Sequence, residues 1–321
     1  MKKQRFNFDY IKNSNKYFII SAAIILLGIL LTFILGTKLD IQFSGGTIIS
    51  YLYDGAISEP DFERAAEDAL GGQDVFIKTG SDFNTGKNTI RVELSSRQGL
   101  SSDRQIELTN ALEDQFAANN LQIGESSDIS PASGREFFLK CLVAVIFSSI
   151  VLIIYVAVRF KNIGGWLAGL CAVIALFHDI LIVYATFVIF RMDIDANFMA
   201  VVLTILGYSV NDTIVIYDRI RENEILFKSK KLSIRELTNM SINQSLTRSL
   251  NTSVTTVLAM LTVTIVCMVF GVNSIISFSF PVLIGMISGT YSSICIAGPL
   301  WVRLEEKKKS KGDSSKKPVK A

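Results

Sequence analysis

The chain alternates between long apolar runs and one long mixed stretch. Crossing the hydrocarbon of a bilayer takes about 20 apolar residues. Runs near residues 17–35, 138–158, 165–190, 196–217, 251–270 and 276–301 meet that requirement. They predict six membrane-spanning helices. Lys2, Lys3 and Arg5 precede the first run. Its apolar part is too long for a signal-peptide core and no small-residue cleavage pattern follows, so it reads as a retained anchor.

Between the first two runs, residues 37–137 change character. "GGTIISYLY" reads as a strand, and "SEPDFERAAEDAL" as a capped helix with Phe62, Ala65, Ala66 and Leu70 on one face. "DVFIKTG" and "NTIRVELS" alternate as short strands about the turn-rich "SDFNTGK". "SSDRQIELTNALEDQF" is a second helix with Ile106, Leu108, Leu112 and Phe116 apolar, and "IGESSDIS" is a weak last strand. The order β-α-β-β-α-β predicts a ferredoxin-like sandwich. The domain reading is residues 1–36 for the N-terminus and first helix, 37–137 for the inserted domain, 138–303 for helices two to six, and 304–321 for a basic disordered tail.

Charge then orients the chain. Five basic residues precede the first run, seven lie between Arg219 and Arg248, and eight follow from Arg303, whereas the alternate loops carry Arg191 or none. The positive-inside rule therefore predicts both termini in the cytoplasm of a multi-pass plasma-membrane protein, with the inserted domain outside. That domain has eight basic and seventeen acidic residues. The overall charge of +3 hides this split and gives no indication of nucleic-acid binding. The basic tail reads as a solvated end or as a contact for anionic membrane lipids. All four cysteines lie within the apolar runs, which leaves no disulfide framework.

Candidate chemistry lies where the apolar runs carry polar residues. A charged side chain at mid-membrane costs about 2.5–3.5 kcal/mol on insertion scales, so such residues are functional candidates. In the fourth run Thr204, Gly207, Tyr208, Asn211 and Asp212 share a stripe at three- and four-residue spacing. At the entry to the fifth, on the cytoplasmic side, Arg248 forms another with Asn251, Thr252, Thr255 and Ala259. The depths of Asp212 and Arg248 agree to within one arginine side chain. An ion pair broken by protonation of Asp212 is the functional reading; interhelical hydrogen bonding and snorkelling are the structural alternatives. His178, the only histidine, and Asp179 sit mid-span in the third run, either as a buried hydrogen bond or as an extension of a proton path. Gly285, Gly289 and Ser293 repeat every fourth residue in the sixth run, a spacing that lets helices approach closely. Asn273 and Pro281 mark an irregular start to that run. No metal-ligand spacing is present, and His178–Asp179 has no nucleophile at a recognisable spacing, so no cofactor and no catalytic residue are expected.

"GYSVNDTIVIYDRIREN", "SLTRSLNTSVTT" and "GMISGTYSSI", with "FSGGT" at 43–47, resemble motifs of the SecF family. This is the smaller half of the bacterial SecDF translocation accessory, within the resistance-nodulation-division (RND) superfamily. The resemblance implies an RND-type half-bundle of six helices with an extracytoplasmic α+β domain, acting as a proton-driven transport subunit and not as an enzyme. It implies SecD, the SecYEG channel and the emerging polypeptide as partners, and Asp212 with Arg248 as the proton-relay pair. The family's usual aspartate before the Phe-x-Gly-Gly opening is replaced by Gln42, with Asp40 two positions earlier, on the same face of a strand. Half of a small-molecule or lipid exporter, and a structural translocon clamp, are the competing readings.

Overall fold

The computed structural model describes residues 8–81, 87–94, 99–230 and 232–314. Six helical segments are long and apolar enough to cross a membrane. They are α1 (Ser14–Leu35), α5 (Pro131–Arg159), α6 (Gly165–Ile189), α7 (Ala196–Leu226), α8 (Ile234–Phe270), and the continuous segment of α9 (Asn273–Ser292) with α10 (Gly298–Ser314). The chain is a multi-pass membrane protein. Of the six segments, α6, α7 and α9 with α10 are the most buried. On α1, α5 and α8 bulky apolar residues such as Phe33, Val158 and Phe270 point outward, as lipid-facing positions do.

Several helices outrun their apolar stretches. Helix α5 starts seven residues early because Ser130 caps it and Pro131 occupies its first turn. Helices α7 and α8 extend past the apolar runs as a polar hairpin. There Asn223 Nδ2 donates to Ser241 Oγ and Gln244 Oε1, both at 2.8 Å. Asn273 does stand at the start of α9, but the helix runs through Pro281. Its irregularity comes later, as a π-helical turn at Ser293–Ala297. The tail expected to be disordered from residue 304 is helical to Ser314, where Arg235 grips Glu306 with two hydrogen bonds at 2.6 and 2.7 Å. Residues 315–321 of that tail, and most of the "SDFNTGK" turn, lie outside the described residues.

The inserted domain comprises β1 (Gly46–Tyr53), α3 (Glu59–Ala69), β2 (Phe76–Ser81), β3 (Asn88–Leu94), α4 (Ser102–Gln115) and β4 (Gln122–Ile129). The strands pair antiparallel in the order β2-β3-β1-β4, the ferredoxin-like arrangement. Ile49, Tyr51, Ile90 and Val92 on one sheet face pack against Phe62, Leu108 and Leu112 of the two helices. Ile106 points away and is exposed.

Domain and bundle meet at a neck. Where the sequence predicts a strand from Asp40 to Gln42, Ile41–Ser44 is a single helical turn, α2. Asp40 caps it, accepting from Gln42 N at 2.8 Å, so the two residues do not share a strand face. Phe43 then stacks on Phe137 and lies edge-on to Phe138, at centroid distances of 5.5 and 5.3 Å. Gly134 allows this approach, since a Cβ there would lie 2.8 Å from Phe43 O and 3.1 Å from Gln42 O. We expect Gly134→Ala to force the neck apart and destabilise the protein by about 1–3 kcal/mol. A lowered melting temperature of the detergent-solubilised chain checks this, and an unchanged one contradicts it.

Candidate functional site

Two carboxylates lie in the interior of the bundle. Asp179 on α6 is fully buried. Its Oδ2 accepts from Ser209 Oγ on α7 and Ser292 Oγ on α9, and its Oδ1 from Ser288 Oγ on α9, each at 2.7 Å. His178 Nδ1 stands 3.0 Å from the same Oδ1. Three serine hydroxyls and the imidazole surround the two oxygens, the polar surround that burial of a carboxyl group requires. Gly289 lets α9 come this close, because a Cβ there would meet Ser209 Cβ at 2.9 Å; at Gly285 it would meet Ile205 Cδ1 at 2.5 Å.

Asp212 on α7 is 3% exposed. Its Oδ2 accepts from Ser253 Oγ of α8 at 3.2 Å, and Ser253 accepts from Thr290 Oγ1 of α9 at 2.7 Å. Ser249, one turn earlier on α8, is buried with its hydroxyl beside the same carboxylate. Thr213 Oγ1 meets Ser293 Oγ at 2.8 Å, and Ser293 also donates to Ser209 O at 3.1 Å. Helix α9 therefore serves both acids, with Ser288 and Ser292 toward Asp179 and Thr290 toward Asp212.

The expected ion pair is not formed within this chain. Arg248 is exposed, with no ion pair among the described residues. The stripe assigned to face Asp212 is displaced: Asn251 and Thr255 are exposed, and the hydroxyls of Thr252 and Thr255 bond back to their own helix. The buried stripe is the adjacent one, Ser241, Ser245, Ser249 and Ser253. Helix α7 divides in the same way. Asp212 turns inward, Tyr208 OH meets Thr256 Oγ1 at 2.6 Å, and Thr204, Gly207 and Asn211 are exposed. No atom comes within 4 Å of a Cβ built on Gly207, so it packs no helix here. The result is an open polar surface on both sides of the α7–α8 seam.

A third cluster, absent from the sequence reading, joins the domain to the bundle. Lys78 of β2, on the sheet face away from the helices, contacts three acids. Its Nζ lies 3.1 Å from Asp40 of the neck, 2.8 Å from Glu93 of β3 and 2.8 Å from Asp193 in the α6–α7 loop. That loop also bridges the neck by backbone, Ile194 N to Lys38 O at 2.8 Å and Asp40 N to Ile194 O at 3.2 Å. Arg191 donates to Leu35 O at the end of α1. Burial alone would lower the Lys78 ammonium, but the carboxylates of Asp193 and Glu93 outweigh it and hold its pKa above the ordinary lysine value. Burial raises Glu93, with the Lys78 contact opposing. Arg91 lies 3.9 Å from Glu93, so two cations face three acids and one negative charge is left over.

Comparison with known proteins fits this arrangement. A family model described as "Protein export membrane protein SecD/SecF, C-terminal" matches residues 109–307. The chain belongs to the SecD/SecF family. It is 33% identical over 312 residues to the protein translocase subunit SecF of Alicyclobacillus acidocaldarius, covering 96% of this chain and 97% of that one. It is 34% identical to the SecF of Rickettsia typhi, covering 92% and 91%. The SecDF crystal structure from Thermus thermophilus superposes with a TM-score of 0.77 at 28% identity, covering 95% of this chain and 40% of that one. The chain is thus a SecF-like subunit that spans less than half of the fused SecDF protein.

Lys78→Met leaves three acids around a lost cation, two of them buried. We expect a loss of about 1–3 kcal/mol at pH 7.5, the scale for breaking a polar network. Because burial raises Glu93 in the folded state, its protonated form favours folding, and the deficit of the variant should shrink as pH falls toward 5. Melting temperatures of wild type and variant at the two pH values check this. A deficit that is constant or grows on acidification contradicts it.

Proposed function

We propose that this chain is the SecF-like half of a SecD–SecF complex that uses the proton-motive force to assist late steps of protein export beside the SecYEG channel. Both termini would lie in the cytoplasm and the α+β domain outside the plasma membrane. The observation that carries the reading is Asp212, buried in the bundle and held by the Ser253 hydroxyl instead of a cation, one helix face away from an open polar surface bearing Arg248.

Facing lipid, that surface would expose polar side chains to hydrocarbon at a penalty, smaller for Arg248, which stands just before the apolar run at residue 251, than it would be at mid-depth. A second helical half with complementary polar groups removes the penalty. SecD is that half, as the fused SecDF of Bacillus subtilis, 30% identical over 295 residues, suggests by its name. In the assembled complex Arg248 and Asn211 would line the junction of the halves, with Thr252 and Thr255 beside them. Asp212 would take up a proton from outside, change its hold on Ser253 and on the guanidinium, and release the proton inward.

The energy is sufficient. At about 2.3 kcal/mol per charge per 100 mV, a total force of roughly 200 mV supplies about 4.6 kcal/mol per proton. Moving a two-state element from 1:99 to 99:1 takes about 5.5 kcal/mol. One proton nearly makes the switch and two exceed it.

Asp212→Asn keeps the side-chain shape and an acceptor for Ser253. We expect it to insert and copurify with SecD, but to abolish the part of export that collapse of the proton gradient also abolishes. Near-normal gradient-dependent export by this variant removes Asp212 from the mechanism. Wild-type export that ignores gradient collapse leaves the structural clamp as the function.

A further inference from the structure

We propose that the cleft between the start of α1, the α8 end of the polar hairpin and α10 binds one zwitterionic phospholipid headgroup, a phosphate ester bearing a primary amine. Lipid binding by this chain does not depend on the proton-coupling reading, so either can fail without the other.

The cleft has a volume of about 640 Å³, and its lining includes Asp9, Lys12, Ser14, Arg235, Glu236 and Arg303. That size suits a small ligand. The apolar runs fix its depth. Ser14 opens α1 three residues before the run that starts at Tyr17, and Arg303 follows Trp301, the end of the last run, by two residues. The inner end of the cleft therefore lies at the edge of the bilayer, where lipid phosphates stand. Just below it Ile19, Ile20 and Ile24 of α1 point outward and offer acyl chains an apolar face.

Arg303 is placed to hold the phosphate. Its Nη2 donates to Ser14 Oγ at 2.7 Å and to Asn15 Oδ1, and its guanidinium carbon lies 4.6 Å from the centre of the Phe18 ring. These partners are neutral, so they orient the guanidinium without cancelling its charge. Nη1 and Nε keep their N–H groups for a ligand, and guanidinium-to-phosphate hydrogen bonds are among the strong ones. Lys12 lines the same cleft and forms no ion pair among the described residues. Arg235 adds no free charge, because Glu306 accepts two hydrogen bonds from it.

The carboxylates of the cleft select the headgroup. Asp9 and Glu236 form no ion pair among the described residues. Glu236 Oε2 accepts from Ser233 N at 3.0 Å and Ser233 Oγ at 2.8 Å, and Asp9 Oδ1 accepts from Lys12 N at 2.9 Å. Each keeps its second oxygen for a cation. Glu236 stands outward of Arg303: Glu306 lies one turn beyond Arg303 on α10, about 4.5 Å at 1.5 Å per residue, and the Arg235 that it holds adjoins Glu236. Asp9 lies in the turn ahead of α1. The cleft thus offers a cation at the bilayer edge and carboxylates toward the water, which match a phosphate below an ammonium. A headgroup with a phosphate and no amine would meet Asp9 and Glu236 as like charges.

The full-length chain in detergent is mixed with phosphatidylethanolamine, phosphatidylglycerol and phosphatidylcholine of identical acyl chains, and retained lipid is counted by native mass spectrometry. Phosphatidylethanolamine should be retained about threefold or more over the other two, the scale of an exposed ion pair. The double variant Asp9→Asn with Glu236→Gln keeps the acceptors for Lys12 N and Ser233 but removes both charges. It should shift the preference to phosphatidylglycerol. Arg303→Gln should lower retention of phosphatidylethanolamine about tenfold, the scale of a lost hydrogen bond to a charged group, and Arg303→Lys should recover part of it. Equal retention of the three lipids by the wild type, a wild-type preference for phosphatidylglycerol, or an unchanged preference in the double variant overturns the proposal. So does equally tight binding of glycerophosphoethanolamine, which has the headgroup without the chains and would make the ligand a soluble phosphate ester. Where Arg303→Gln fails to fold, the wild type and the double variant decide.

Discussion

A carboxylate inside an apolar bundle must be surrounded by donors, and that requirement organises the interior of this protein. Lipid offers helices no hydrophobic reason to associate, so polar contacts and close backbone approach decide how they sit. Here both tasks fall to α9. Its glycines at 285 and 289 bring it against α7, and its hydroxyls alternate around the helix, with Ser288 and Ser292 directed to Asp179 and Thr290 to Ser253 and so to Asp212. Rotating α9 would unsatisfy one acid or the other. The azimuth of this helix is therefore set by hydrogen bonds whose loss is costly, while the apolar residues around them tolerate more variation.

The same two helices that carry the acids also hold the inserted domain. Helices α6 and α7 are joined by the loop containing Asp193 and Ile194. That loop pairs with the neck by backbone and with the sheet through Lys78. The neck in turn is clamped on α5 by Phe43. A displacement between α6 and α7 thus reaches the domain through a short chain of ion pairs and hydrogen bonds, with no flexible linker between. On the proposed reading, that connection carries a protonation event in the bundle to a module outside the membrane.

Much of this was legible in the sequence, for identifiable reasons. Hydropathy found all six spans because a bilayer imposes length and apolarity. The ferredoxin-like order could be read because alternation and capping residues mark each element. The azimuth of the helices was not legible. Three- and four-residue spacing defines a stripe but not the direction in which it points, and α8 carries two polar stripes one residue apart. The Arg248 stripe and the Ser241–Ser245–Ser249–Ser253 stripe look alike on paper, and the second is the one that packs inward. Lys78 was missed for another reason. A lone lysine in a strand is ordinary, and its three acids come from segments as distant as residues 40 and 193.

On the proposed reading, the position of Arg248 follows from what a half-bundle is. A residue meant to pair across a junction cannot be satisfied by its own chain without losing the ability to respond to the other. Had Arg248 turned inward, it would neutralise Asp212 permanently, and a buried pair of good geometry is hard to separate. With the cation on the open face and the acid held by a hydroxyl, a contact between them would, on that reading, depend on how the second half is seated. A serine hydroxyl is suited to this role because it can donate to a carboxylate or accept from a protonated acid, so Ser253 can follow either state of Asp212 without being left unpaired. Such an arrangement allows a proton and a helix movement to depend on each other.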